Sequence, residues 1–142
     1  MIREKILEYN KRCAEFLNWE FDELSESYQT PFLKLVEPQA FGDEQFSSKL
    51  RIYELDFDSD WNWIMEVVEA IETKFLKYTL QWEYDDREEF AEDGKYKAYW
   101  FTLYPKDEIC GWLTDLRHKS RKEAVVQAIN QFLIWYNKNK LQ

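Results

Sequence analysis

FDSDWNWIMEVVEAIETKF, residues 57–75, decides how the rest of this 142-residue chain is read. Within it Trp61, Ile64, Met65, Val68, Ile71 and Phe75 recur at spacings of three and four, which is one apolar stripe of a helix. Glu66, Glu69 and Thr73 fall on the opposite side. Trp63, Val67 and Ala70 make a second, narrower apolar flank, which predicts burial on more than one side. Ser59 or Asp60 supplies the short side-chain oxygen that caps the first turn. Asp58 and Asp60 also sit where the helix dipole favours negative charge. The spacing Asp56, Asp58, Asp60, Asn62 resembles that of a calcium loop. Such a loop needs Gly at its sixth position and Glu at its twelfth, where this chain has Trp61 and Val67. The reading is an ordinary acidic helix start.

Working toward the N-terminus, Leu50–Phe57 alternates moderately and reads as a strand that feeds the helix. Residues 37–49 read as a loop broken by Pro38 and Gly42, with Phe41 and Phe46 as anchors. Thr30–Val36 reads as a short edge strand, because Pro31 cannot donate to a ladder. Residues 20–30, EFDELSESYQT, are polar and acidic and read as a loop. Residues 2–18 read as a first helix through Ile2, Ile6, Tyr9, Cys13, Phe16 and Leu17, with Trp19 closing it onto the core.

Working toward the C-terminus, Leu76, Tyr78, Leu80, Trp82 and Tyr84 alternate with Lys77, Thr79, Gln81 and Glu83. That is an antiparallel strand with one wet face. Residues 85–95 form a charged turn with Gly94 near its end, so Tyr96–Tyr104 returns as the second strand of a hairpin. Apolar residues on both of its faces predict a central position. A last short strand is placed near 109–114. Ser120 followed by Glu123 is a capping box, and Ala124, Val125, Ala128, Ile129, Phe132, Leu133 and Tyr136 form the stripe of a final helix. The fold expected is α+β, an antiparallel sheet of three to five strands packed by three helices, in one domain spanning 1–142.

Seven Trp and 18% aromatic residues are the load of a packed core, not of a disordered chain. No apolar run approaches the roughly 20 residues of a membrane span. MIREKILEYNKRC lacks the apolar core of a signal peptide. Cys13 and Cys110 are lone thiols that fit a reducing cytoplasm and small buried hydrophobes better than a disulfide framework. The net charge of −9 is unevenly spread: residues 20–60 carry −8, residues 78–95 carry −5 and residues 119–142 carry +4. Acidity disfavours general binding to a phosphate backbone but suits a basic protein surface, while also serving solubility.

Signals for chemistry are weak. His118, the single histidine, lies in a basic run with Arg117, Lys119, Arg121 and Lys122, and nothing near it is a nucleophile elbow. Three glycines, at 42, 94 and 111, cannot build a phosphate loop. Two Cys and one His cannot make a zinc site. Asp85, Asp86, Glu88 and Glu89 beside Lys95 and Lys97 have the composition of a metal nuclease, but a hairpin loop is a poor scaffold for it. Trp82 and Trp100 on paired strands could stack bases, yet the turn beside them is acidic and core packing is the stronger reading. No catalytic, cofactor or metal residue is assigned.

SDWNWIMEVVEAIE at 59–72 and KEAVVQAINQFLIWYN at 122–137 resemble a group of small bacteriophage and prophage proteins of α-β-α sandwich type. The order of elements is similar as well. The matching positions are mostly core positions and bring no catalytic residues with them. What the resemblance implies, with the charge map, is a non-enzymatic protein that docks on and inhibits a host nucleic-acid-handling defence effector, as an anti-CRISPR protein does. The contacts would come from acidic loops at Glu20, Asp22, Glu23, Glu26, Asp85, Asp86, Glu88 and Glu89, as monomer or dimer. A self-associating assembly module and a metal-dependent nuclease are the alternatives. A fourth reading has Arg117, Lys119, Arg121 and Lys122 touching nucleic acid weakly.

Overall fold

A computed structural model describes residues 2–29, 49–75, 78–90, 92, 94–102 and 117–139. The chain divides into two compact units, Met1–Trp63 and Ile64–Gln142. It is an α+β fold, and among the described residues it has three α-helices and two antiparallel sheets, one of three strands and one of two. The strands expected at 30–36 and 109–114 lie outside the described residues.

The first unit begins with α1, Arg3–Phe16, which buries Tyr9, Asn10, Cys13, Ala14 and Phe16. It ends because Asn18 turns into the left-handed region at φ 62°. The Asn18 N–H then donates to the Glu15 carbonyl and the Trp19 N–H to the Ala14 carbonyl, both at 3.0 Å, a Schellman stop. That turn swings Trp19 inward, as its position after the helix predicts. Its ring lies 5.2 Å from Phe57 and 5.7 Å from Trp63, and Phe57 and Trp63 are 4.9 Å apart.

Two buried polar side chains of α1 strap down the segment that leads to the central helix. The Tyr9 hydroxyl donates to the Phe57 carbonyl at 3.0 Å. The Asn10 amide donates to the Leu55 carbonyl at 3.0 Å and to Asp58 Oδ1 at 3.3 Å. Leu55 and Phe57 are therefore buried against α1, not in a sheet. The strand expected over 50–57 is in fact shorter. β3 is Lys49–Arg51, and Ile52–Glu54 closes into a 3-10 turn when the Arg51 N–H donates to the Glu54 carboxylate at 2.9 Å.

The stretch 20–30 is also not the loop its polarity suggests. β1, Glu20–Asp22, and β2, Ser27–Gln29, form a hairpin, and β3 pairs with the other edge of β2 in the order β1-β2-β3. Phe21 and Tyr28 are cross-strand partners with ring centroids 5.0 Å apart.

α2, Trp61–Lys74, starts where Asp60 Oδ1 accepts the Asn62 N–H at 2.8 Å. Its fully buried face is Trp63, Ile64, Val67, Val68 and Ile71. The buried face thus joins Ile64, Val68 and Ile71 of the expected stripe to Trp63 and Val67 of the flank, while Trp61, at the start of the stripe, stays partly exposed. In the second unit β4, Tyr78–Tyr84, pairs with β5, Tyr96–Thr102, in a long register from Tyr78↔Thr102 to Tyr84↔Tyr96. α3, Arg121–Asn139, lies on one face of this ribbon. Trp100 packs 5.5 Å from Phe132, and its indole N–H donates to the Ala128 carbonyl at 3.0 Å. Phe75 meets Phe132 and Tyr136, while Glu72 of α2 accepts the Leu80 N–H at 3.0 Å. The outward face of β5 carries Tyr99 and the exposed Phe101, so this strand is not buried on both faces. Among the described residues no helix is long and apolar enough to cross a membrane.

Candidate interaction surfaces

The two groups of acids expected to make contacts fall in different units. Glu20, Asp22, Glu23 and Glu26 belong to the β1–β2 hairpin of the first. The turn is built by Asp22, whose carboxylate accepts the Leu24 N–H at 2.9 Å, and by Glu26 at φ 52°. Lys49 grips the same carboxylate at 2.8 Å. That hydrogen bond, helped by the Leu24 amide, lowers the Asp22 pKa to about 2. Asp22 is thus a structural acid of the turn, whereas Glu20, Glu23 and Glu26 are exposed.

The geometry forces Leu24 outward at the hairpin tip, where it is 98% exposed. Phe21 is 50% and Tyr53 56% exposed beside it. Together with Tyr28 they line an open groove of about 890 Å³, whose charged lining is mixed: Glu15, Glu23 and Glu26 with Lys11 and Arg51. These apolar members were not singled out from the sequence. The available signal was an apolar residue alone among acids, Leu24 in EFDELSESY.

Asp85, Asp86, Glu88 and Glu89 lie after β4 in the second unit. Arg87 binds Asp85 through Nε at 2.9 Å to each oxygen, and Arg117 approaches it at 3.4 Å. The Arg87 hydrogen bonds lower the Asp85 pKa to about 2. Arg87 also reaches Glu89 at 3.2 Å. Asp85 is therefore a tie between the turn and the segment before α3, and Asp86, Glu88 and Glu89 face solvent. Among the described residues no group of three or more His, Cys, Asp or Glu could hold a metal ion.

The basic run behaves likewise. Arg117 is only 10% exposed and serves Asp85. His118 bridges to Tyr96: its N–H donates to the Tyr96 carbonyl at 2.7 Å, and its own carbonyl accepts from Lys95 and Tyr96 at 3.0 Å each. His118 Nδ1 lies 3.8 Å from Glu123. The histidine is a backbone tie to the start of β5, with its ring beside a carboxylate. Ser120 caps α3, its hydroxyl accepting the Glu123 N–H at 3.1 Å. Lys119 and Arg121 are exposed and Lys122 is half-buried.

No known family model matches the chain, and neither a curated protein nor a solved structure matches it.

Proposed function

We propose that this chain is a non-catalytic binding protein that docks its β1–β2 hairpin on a basic surface of another protein. The observation that carries the reading is Leu24, a leucine held fully in solvent by its own turn, with Phe21 and Tyr53 beside it and the exposed acids Glu20, Glu23 and Glu26 on the same hairpin. Burying such a residue gains about 1.5–3 kcal/mol. Those hairpin acids select a partner whose apolar pocket is rimmed by Lys and Arg, and steer it in. Surfaces built to hold nucleic acid have that rim. The resemblance of residues 59–72 and 122–137 to phage proteins supports a host nucleic-acid-handling defence effector as the partner, and inhibition as the outcome.

The test is capture from nuclease-treated host lysate by the immobilised protein, run beside Leu24→Ala and a Glu23→Lys/Glu26→Lys variant. One stoichiometric nucleic-acid-handling protein, retained by the parent chain and lost from both variants, is the expected result. Equal recovery on all three baits sinks the hairpin reading. Light scattering of the free chain separates this from self-association, which predicts a mass that rises with concentration and falls with Leu24→Ala.

A further inference from the structure

The second unit carries a surface that the hairpin does not use. Along β4 and β5, alternation places Tyr78, Leu80, Trp82 and Tyr84 on one face with Tyr96, Ala98 and Trp100. At one end this face is core, where Trp100 meets Phe132. At the other end Trp82 remains 43% exposed and Tyr84 55% exposed. Tyr84 and Tyr96 are cross-strand partners with rings 5.1 Å apart. Arg121, the first residue of α3, holds its guanidinium 5.6 Å from the Trp82 ring and 5.8 Å from the Tyr96 ring. The Ser120 cap fixes where that arginine emerges, and exposed Lys119 precedes it.

Core packing does not call for an arginine over a half-exposed tryptophan, and the clustering of Trp82, Tyr84 and Tyr96 under one guanidinium sets this patch apart from rings exposed singly. The combination is what a single strand of nucleic acid requires. Unpaired bases stack on aromatic rings and guanidinium planes, and nearby cations take the phosphates. Apart from Arg117, which serves Asp85, residues 117–122 still hold Lys119, Arg121 and Lys122 and no acid. Of the acids closest in the chain, Glu83 alternates to the other face and accepts from the Tyr99 hydroxyl, Asp85 is already held by Arg87 and Arg117, Glu123 faces His118, and Asp86 faces solvent.

We infer that the patch of Trp82, Tyr84, Tyr96 and Arg121 binds single-stranded nucleic acid. A duplex offers no free base faces to the rings, and the net charge of −9 repels its denser phosphates. The site spans few nucleotides, so binding is weak and salt-sensitive. The inference does not rest on the hairpin, and the hairpin variants above leave this surface intact.

The experiment is fluorescence anisotropy of the full chain with end-labelled DNA and RNA strands of about 15 nucleotides, and with a duplex of that length, at low and physiological salt. Single strands are expected to bind at micromolar concentrations, about tenfold better than duplex, with binding falling as salt rises. Trp82→Ala and Arg121→Ala are each expected to weaken single-strand binding at least about fivefold. Lys119→Glu lies outside the core and carries the test if a ring variant does not fold; it too should weaken binding. No binding at about 100 µM in low salt, equal affinity for duplex, or affinities untouched by these substitutions would overturn the proposal.

Discussion

Gly94 shows how much one position can carry. It sits at φ +104°, a backbone state that L side chains rarely adopt. A Cβ there would come within 2.6 Å of the Lys119 nitrogen and closer still to the His118 carbonyl group. That same carbonyl accepts from both Lys95 and Tyr96, so it cannot yield without breaking the bridge. Gly94→Ala is expected to destabilise the protein by about 3 kcal/mol or more, seen as a large drop in Tm. A Tm within a degree of the parent would refute this account of the glycine. Asp85 gives a second prediction, in pH. Its folded pKa, about 2, is depressed below the ordinary carboxylate value by the Arg87 hydrogen bonds. The unfolded chain therefore binds the proton more readily. The stabilisation is complete above about pH 4 and is lost as pH falls through about 2. Asp85→Asn should lower Tm at neutral pH and flatten the acid limb of a Tm–pH curve. Parallel curves for the two proteins would remove Asp85 from the acid response.

The helices were legible because their packing follows the period of the chain itself. Tyr9, Cys13 and Phe16, Ile64, Val68 and Ile71, and Val125, Ile129 and Phe132 are all spaced for one face, and all are buried. The caps at Asp60 and Ser120 were legible for the same local reason, since a cap and the N–H that donates to it lie within three residues. The short strands were not. β1 and β2 have three residues each, too few for alternation to emerge, and their polar composition imitates a loop. What holds them is the cross-strand pair of Phe21 and Tyr28, which a linear reading does not bring together. Leu55 and Phe57 misled in the opposite sense. Their alternation is real, but it serves the strap to Tyr9 and Asn10, an interaction across more than forty residues of sequence. Asn10 could not be read as a core residue at all, because its burial depends on that strap.

Over the whole molecule, charge alone was a blunt guide to the candidate surfaces. It counted Asp22 and Asp85 with the docking acids, although Lys49 and Arg87 hold them as structural ties. It counted Arg117 with the exposed cations, although Arg117 is mostly buried beside Asp85. Sequence cannot separate a charge spent inside the fold from one offered to a partner, since both are simply Asp or Arg. The structure leaves Glu20, Glu23 and Glu26 exposed around an apolar tip, and this makes the division testable. Reversing all three to Lys shifts the net charge from −9 to −3. These side chains are exposed, so Tm should move by only a few degrees. Capture of the partner should be abolished, because steering and the rim contacts both change sign. Removing the Asp22–Lys49 pair instead, with Asp22→Asn, should lower Tm and disturb capture only as far as it loosens the turn. The parent complex should also weaken as salt rises, since the rim charges are exposed and screened within about 10 Å at 0.1 M salt. If the triple variant keeps its partner at full affinity in low salt while remaining folded, the acids of the hairpin serve solubility, and recognition lies elsewhere on the molecule.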